Sequence, residues 1–202
     1  MFVLLILCGL SFSVFAQTAT LTAPWLLVYD AEGRPRWEIR MEKLVRTKDG
    51  WEGEKVSVTL FFQGEPSIFV EAEKLSADPL GRRWSLKEEV SGQGHGFSFT
   101  AKEASWTEHL VLLEFSAQRE DLTVFAEEAH WELNGLLELF SATASSAQWS
   151  LCFSYGQYKD GTLFAQEVEA EGFGLKIQAE YLEFSPDEGR AKFRGVKVVR
   201  SS

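Results

Sequence analysis

A ten-residue line occurs twice in this chain, 25 positions apart. Residues 97–106 read Phe-Ser-Phe-Thr-Ala-Lys-Glu-Ala-Ser-Trp, and residues 122–131 read Leu-Thr-Val-Phe-Ala-Glu-Glu-Ala-His-Trp. Each is followed by an apolar run ending in the same tripeptide, Phe115-Ser116-Ala117 and Phe140-Ser141-Ala142. An internal period of this size belongs to architectures that stack copies of one supersecondary unit. Six anchor positions carry it through the chain: Met41, Ala72, Ala101, Ala126, Tyr155 and Ala179, at spacings of 31, 29, 25, 29 and 24.

The residues four before, two before and at each anchor are Trp37, Ile39, Met41; Ile68, Val70, Ala72; Phe97, Phe99, Ala101; Leu122, Val124, Ala126; Leu151, Phe153, Tyr155; and Leu175, Ile177, Ala179. All are apolar or aromatic. The residues between them are mostly polar, with Phe69, Phe125 and Cys152 as exceptions. Period-two alternation means a strand with one buried face. Asp49-Gly50, Asp78-Pro79-Leu80-Gly81, Asn134-Gly135, Lys159-Asp160-Gly161 and Pro186-Asp187-Glu188-Gly189 then read as hairpin turns. Returning strands are expected over Val56–Phe62, Trp84–Val90, Leu110–Ala117, Leu136–Ala142, Leu163–Val168 and Ala191–Val199. The prediction is an all-β chain of about a dozen strands in antiparallel succession. The segment 143–148 has room for a short helical turn.

With 202 residues and no internal linker, one domain is expected, with enough chain to bury a core without crosslinks. Residues 2–15 form an uncharged apolar run, and Val14-Phe15-Ala16 resembles a small-x-small cleavage site. The expected organisation is a secretory signal peptide at 1–16, a linker at 17–24 and a single β domain at 25–202. Uncleaved, the segment 2–15 would be an anchor, though it is short of the ~20 residues of a membrane span. Removal of Cys8 would leave Cys152 alone, read as a small packing residue rather than a reactive thiol.

The net charge of −10 argues against a nucleic-acid partner. Residues 190–202 carry five of the cations (Arg190, Lys192, Arg194, Lys197, Arg200) and no acid, so residues 1–189 sum to −15. Such a tail reads as an edge strand guarded against aggregation. His95, His109 and His130 have no metal-ligand spacing, and Gly92-Gln93-Gly94-His95-Gly96 reads as a turn, not a phosphate cradle. There is no nucleophile motif, so the residues predict no catalytic site, metal or cofactor, and no enzyme. A one-sided sheet must still hide its apolar face. It either fills its own interior, as a structural or adhesive exported repeat protein would, or leaves an apolar groove for a greasy ligand.

Hairpins carrying apolar-x-apolar-x-Ala-[Glu/Lys], as in Ile68–Glu73, Phe97–Lys102, Leu122–Glu127 and Leu175–Glu180, resemble the periplasmic lipopolysaccharide-transport proteins of the LptA/LptC (OstA-like) family. Phe193-Arg194-Gly195-Val196-Lys197-Val198 is similar to that family's aromatic-x-Gly-x-Val strand, and residues 29–39 to the opening of its LptC-type domains. The likeness runs from about Trp25 to Val199. Met41 and Tyr155 depart from the Ala of the pattern, and the N-terminal run has no Lys or Arg. The resemblance implies a curved, V-shaped antiparallel β-jellyroll with an apolar interior, working in the periplasm. It implies lipopolysaccharide or a related envelope lipid as ligand, bridge proteins joined end to end by strand addition, and contact with an inner-membrane transporter. The residues expected to line a lipid groove are Ile39, Val70, Phe97, Phe99, Val124, Phe153 and Ile177.

Overall fold

From β3 to β15 every strand pairs with the next one in sequence, so the chain lays down a sheet as it goes. The structure, a computed structural model, describes residues 3–4, 20–172 and 175–200. The strands are β1 (Val3–Leu4), β2 (Thr20–Thr22), β3 (Trp25–Tyr29), β4 (Pro35–Arg46), β5 (Trp51–Phe62), β6 (Glu65–Ala77), β7 (Trp84–Gly94) and β8 (Phe97–Trp106). They continue as β9 (Leu110–Arg119), β10 (Leu122–Trp131), β11 (Leu137–Ser145), β12 (Trp149–Lys159), β13 (Thr162–Gly172), β14 (Leu175–Ser185), β15 (Arg190–Arg194) and β16 (Lys197–Arg200). From β3 to β15 they form one antiparallel sheet in sequence order, and the sheet does not close on itself. The all-β antiparallel succession expected from the repeat, and the β-jellyroll implied by the resemblance, are the observed fold.

Both edges are built alike. β2 and β3 lie end to end along β4, interrupted at Ala23 (φ 50°), and β15 and β16 lie end to end along β14, interrupted at Gly195 (φ 66°). Residues 20–22, expected in a linker, are therefore part of the sheet. The predicted signal peptide lies outside the described residues apart from Val3 and Leu4, which pair with Val28 and Leu27 of β3. The single 3-10 turn among the described residues is Pro186–Glu188, and residues 146–148 make a non-helical turn instead of the helical one allowed by the sequence. Among the described residues no helix is long and apolar enough to cross a membrane.

What the alternation alone did not predict is a bend. In β10 the buried residues are Leu122, Val124 and Ala126, then Ala129 and Trp131. The step of three replaces a step of two, because Glu127 and Glu114 drop out of the ladder between β9 and β10. The same slip recurs across the sheet, marked by left-handed backbone at Lys55, Glu88, Glu89, Glu114, Ser141 and Glu167, in alternate strands β5 to β13. At most of these sites a residue drops out on both strands and the register is kept; only β7, at Glu88 and Glu89, carries an extra residue against both neighbours, the insertion that bends a strand and sharpens its twist. The column of slips marks one crest along which the sheet folds into two facing limbs. Limb A holds the first halves of the even-numbered strands, and limb B holds their second halves. The apolar core fills the space between the limbs.

The crest explains the small anchors. Ala72, Ala126 and Ala179 sit just before the bend, where the limbs converge, and all three are buried. Met41 fits there because its partner strand supplies Gly53, whose absent Cβ would lie 2.9 Å from the Met41 sulfur. Tyr155 is too large, and in β12 the slip comes before it: Phe153 and Gly156 face inward and Tyr155 turns to the outer face. Its placement among the inward anchors is thus corrected. Cys152 likewise lies exposed on the outer face, between the inward Leu151 and Phe153, and is not a packing residue. Gly92 and Gly94 belong to β7 rather than to a turn, which is confined to His95 and Gly96. Gly92 is required in the sheet, because a Cβ there would meet the Phe99 ring at 2.6 Å and the Phe69 carbonyl oxygen at 2.2 Å.

Candidate functional site: the apolar interior and its open end

Five of the seven residues expected to line a groove fall in a single transverse ladder on the inner face of limb A. Register runs Ile39–Val58–Val70–Gly92–Phe99–Ala117–Val124–Ala144–Leu151–Ala170–Ile177. Phe97 lies one inward position toward the free rim of the limb, and Phe153 one toward the crest. Ile39, Val70, Phe97, Phe99, Val124 and Phe153 are buried against protein side chains, and Ile177 is half-buried.

Facing this ladder is one that periodicity did not predict. After the slip, limb B presents Trp51–Ala77–Trp84–Trp106–Leu110–Trp131–Leu137–Tyr158–Leu163–Phe184 along its inner rim. Four of the seven tryptophans stand in that row. The signal was visible in the repeat itself, since both ten-residue lines end in Trp after two consecutive polar positions. Trp84 and Trp106 stack at 6.0 Å, and Trp131 packs on Phe99 (5.4 Å) and Phe115 (6.3 Å).

Along most of the sheet the two rims are fastened to each other. Arg36 of limb A lies over Trp106 of limb B at 5.7 Å. Ser67 Oγ donates to the Leu133 carbonyl (2.9 Å) and contacts His95 Nε2 (2.9 Å). The hydroxyl has one proton and gives it to Leu133, so His95 donates from Nε2 and is the Nε2–H tautomer. Burial of one side of the ring, beside Trp131, holds the His95 imidazole below its ordinary pKa. Further along, Phe97 meets Tyr158 edge-on at 5.3 Å, and Arg119 donates to the Tyr158 hydroxyl at 2.9 Å. Between these fastenings the free apolar space shrinks to about 20 Å³, walled by Phe97, Phe115, Leu122, Leu137, Phe153 and Tyr158 among others.

Past β12 the limbs touch through Trp149 of limb A, whose ring meets Phe184 of limb B edge-on at 4.8 Å. An open apolar mouth of about 430 Å³ lies between them, lined by Trp149, Leu151, Leu175, Ile177, Leu182, Phe184 and Phe193, with Asp121, Gln148 and Glu171 at its polar margin. Leu122, Phe184 and Pro186 stand between this mouth and the inner space and line both. On the outer face behind it, Glu138 accepts from the Tyr155 hydroxyl (2.5 Å) and from Gln157 (3.0 Å), and these bonds hold its carboxyl below the ordinary range. Burial, then the Glu138 bond, pushes the Tyr155 hydroxyl up to about 12. Among the described residues no cluster of three or more His, Cys, Asp or Glu side chains could hold a metal ion.

A bent sheet of hairpins around an apolar interior, with a mouth at one end, is the architecture of a β-jellyroll. No protein-family model and no curated protein matches the chain. Among solved structures, the chain is similar to LptH of Pseudomonas aeruginosa, described as the LptA-homologous periplasmic component of a lipopolysaccharide transport device. The two are 9% identical, and the match covers 67% of this chain and 95% of LptH with a TM-score of 0.30. A likeness of that size says nothing about ligand or partner.

Proposed function

We propose that this protein shields the acyl chains of an envelope lipid between its two limbs, as a bridge component carrying lipopolysaccharide or a related lipid across the periplasm. The observation that carries the reading is the open apolar mouth at the β12–β15 end, beside the enclosed core. A cleft of this volume with mostly apolar walls falls within the range of small-ligand sites. Each buried methylene contributes about 0.8 kcal/mol, so a lipid needs a long greasy trough to leave a membrane. The apolar-x-apolar-x-Ala repeat, resembling the LptA/LptC proteins, supports the same reading. Ile39, Val70, Phe97, Phe99, Val124, Phe153 and Ile177 are the proposed lining. In this proposal the chain enters at Ile177 and advances along the limb A ladder as the rim fastenings open.

The interrupted edges offer the joints. β15–β16 at one end and β2, with the start of β3, at the other present free backbone groups for strand addition to neighbouring bridge proteins. A proline at Lys197 or Val199 should remove a ladder donor and abolish end-to-end oligomers in crosslinking. Oligomers that survive at both positions would place the joint elsewhere.

The direct test is a photo-crosslinker at Ile177, which faces the mouth, and at Gln178, which faces out. Lipid adducts at Ile177 alone are expected. Equal adducts at both, or at neither, would reject the mouth as the entry. The second reading, a structural repeat protein with a self-filled core, draws on the tight packing of the middle. It expects no lipid in native mass spectra of the purified protein.

A further inference from the structure

Cations gather at one end of the limb B rim. Arg46 ends β4, Lys48 lies in the turn that follows, and Arg82 and Arg83 lie in the turn after β6; all are exposed. Lys48 stands 4.0 Å from Asp49, while Arg46, Arg82 and Arg83 make no ion pair among the described residues. By contrast Arg34, in the turn after β3, is held by Asp30 at 2.8 Å and Glu32 at 3.0 Å. The later limb B turns, at 107–109, 132–136, 160–161 and 186–189, hold no Lys or Arg, and each carries an acid: Glu108, Glu132, Asp160 and Glu188. The two basic turns are built as one unit. Trp51 Nε1–H donates to the Pro79 carbonyl at 3.3 Å, and a Cβ on Gly50 would fall 2.0 Å from the Ala77 carbonyl oxygen. Asp78 Oδ1 accepts from the backbone N–H groups of Arg82 (2.6 Å) and Arg83 (3.3 Å), and the Gly81 N–H closes on the Asp78 carbonyl at 2.9 Å. That turn holds Leu80 outward at 66% exposure, the highest of the large apolar side chains among the described residues. Arg46 lies over the Trp51 ring at 5.7 Å.

We propose that this corner docks on an anionic membrane surface, with Leu80 entering the headgroup layer and Arg46, Lys48, Arg82 and Arg83 meeting lipid phosphates. The inference goes beyond the shielding role and does not depend on it. Charge decides the partner. At a net charge of −10 the chain is repelled by an anionic surface except through a local patch of opposite sign. Arginine forks match phosphate oxygens, and each net cation at an anionic bilayer gains about fivefold in partition. A leucine already fixed outward by its turn buries apolar area without an ordering cost. Half-buried Trp51 adds an amphipathic ring of the kind enriched at membrane interfaces.

The test floats the full chain with vesicles of phosphatidylcholine alone, or of equal parts phosphatidylcholine and phosphatidylglycerol. The apolar run 2–15 contributes to binding of both, so the readout is the ratio of the two partition coefficients. The cations of the corner, less Asp49 and Asp78, leave a net charge of two, so the wild-type chain should favour the anionic vesicles about 25-fold. High salt should erase that preference. Arg82→Gln with Arg83→Gln should abolish it, and Leu80→Ser should weaken binding to the anionic vesicles about tenfold. Lys192→Gln with Arg194→Gln, on the β15 edge at the other end of the sheet, should keep the wild-type ratio. An environment-sensitive dye on Leu80→Cys, with Cys8→Ser and Cys152→Ser, should shift to the blue on anionic vesicles only. Equal partition of the wild-type chain would overturn the membrane assignment and leave the corner to an acidic protein surface. A preference that survives Arg82→Gln with Arg83→Gln and is lost with Lys192→Gln and Arg194→Gln would move the docking patch to the β15 edge and overturn it too. A dye that reports water on both vesicles would overturn the insertion of Leu80.

Discussion

The middle of the interior and its β12–β15 end are made from the same repeat and differ in what it carries. In the middle, Phe99, Phe115, Trp106 and Trp131 are buried, and the rims are tied by Ser67–Leu133, His95 and Tyr158. At the end, Trp149, Ile177 and Phe184 stay partly exposed beside an open mouth. The strand pattern fixes which face is inward in both regions. Side-chain volume and the rim contacts decide whether that face is closed. A single sheet can thus be self-filled over most of its length and receptive at one end, which is how the structural and lipid-binding readings both find support in one molecule.

The sharpest way to break this comparison is to delete one large ring in each region. Trp131→Ala should lower unfolding free energy by about 3–5 kcal/mol in urea titration, since the site cannot collapse around the void. Trp149→Ala should cost about 1–2 kcal/mol, since part of that ring already meets water. Equal losses would mean that the two ends are packed alike.

Next in size is Gly92→Ala. The new Cβ would press on the Phe99 ring and the Phe69 carbonyl, and should cost about 1–3 kcal/mol by the same measurement. Gly96→Ala one hairpin turn away has open space around its Cβ but a φ of 84°, and should cost about 1 kcal/mol from backbone strain alone. A smaller effect is expected from pH. His95 has its folded-state pKa below the ordinary 6.5, so its contribution is complete above that value and is lost as pH falls through the lower, folded-state pKa. The melting temperature of the wild-type chain should therefore drop more steeply below pH 6.5 than that of His95→Asn. Parallel curves would remove His95 from the rim fastening. Glu138, also held low, should add an acid-side loss below its ordinary 4.5 that Glu138→Gln lacks.

Much of the architecture was legible because period-two alternation is a direct imprint of the pleat. Ile39, Val70, Phe99, Val124 and Ile177 were picked by alternation and by likeness to a known family, and they share one ladder. The limb B ladder was not legible by the same rule, because a slip of three changes the phase of everything after it. A strict alternation count loses Trp106 and Trp131 although they close both copies of the repeat. Tyr155 breaks the pattern for the same reason, the slip in β12 falling two places earlier. Which end is open could not be read at all. It depends on contacts such as Ser67 with Leu133, 66 residues apart, which no local pattern records.

Because every strand carries its own bend, each hairpin is complete in itself: it brings a piece of both walls, a piece of the crest and a turn on the rim. Adding or removing one would lengthen or shorten the molecule by two strand spacings, about 9.5 Å, without redesigning its neighbours. The number of hairpins is therefore a ruler. The distance this protein can span is set by counting units rather than by any single residue, and evolution can adjust that reach by duplication alone.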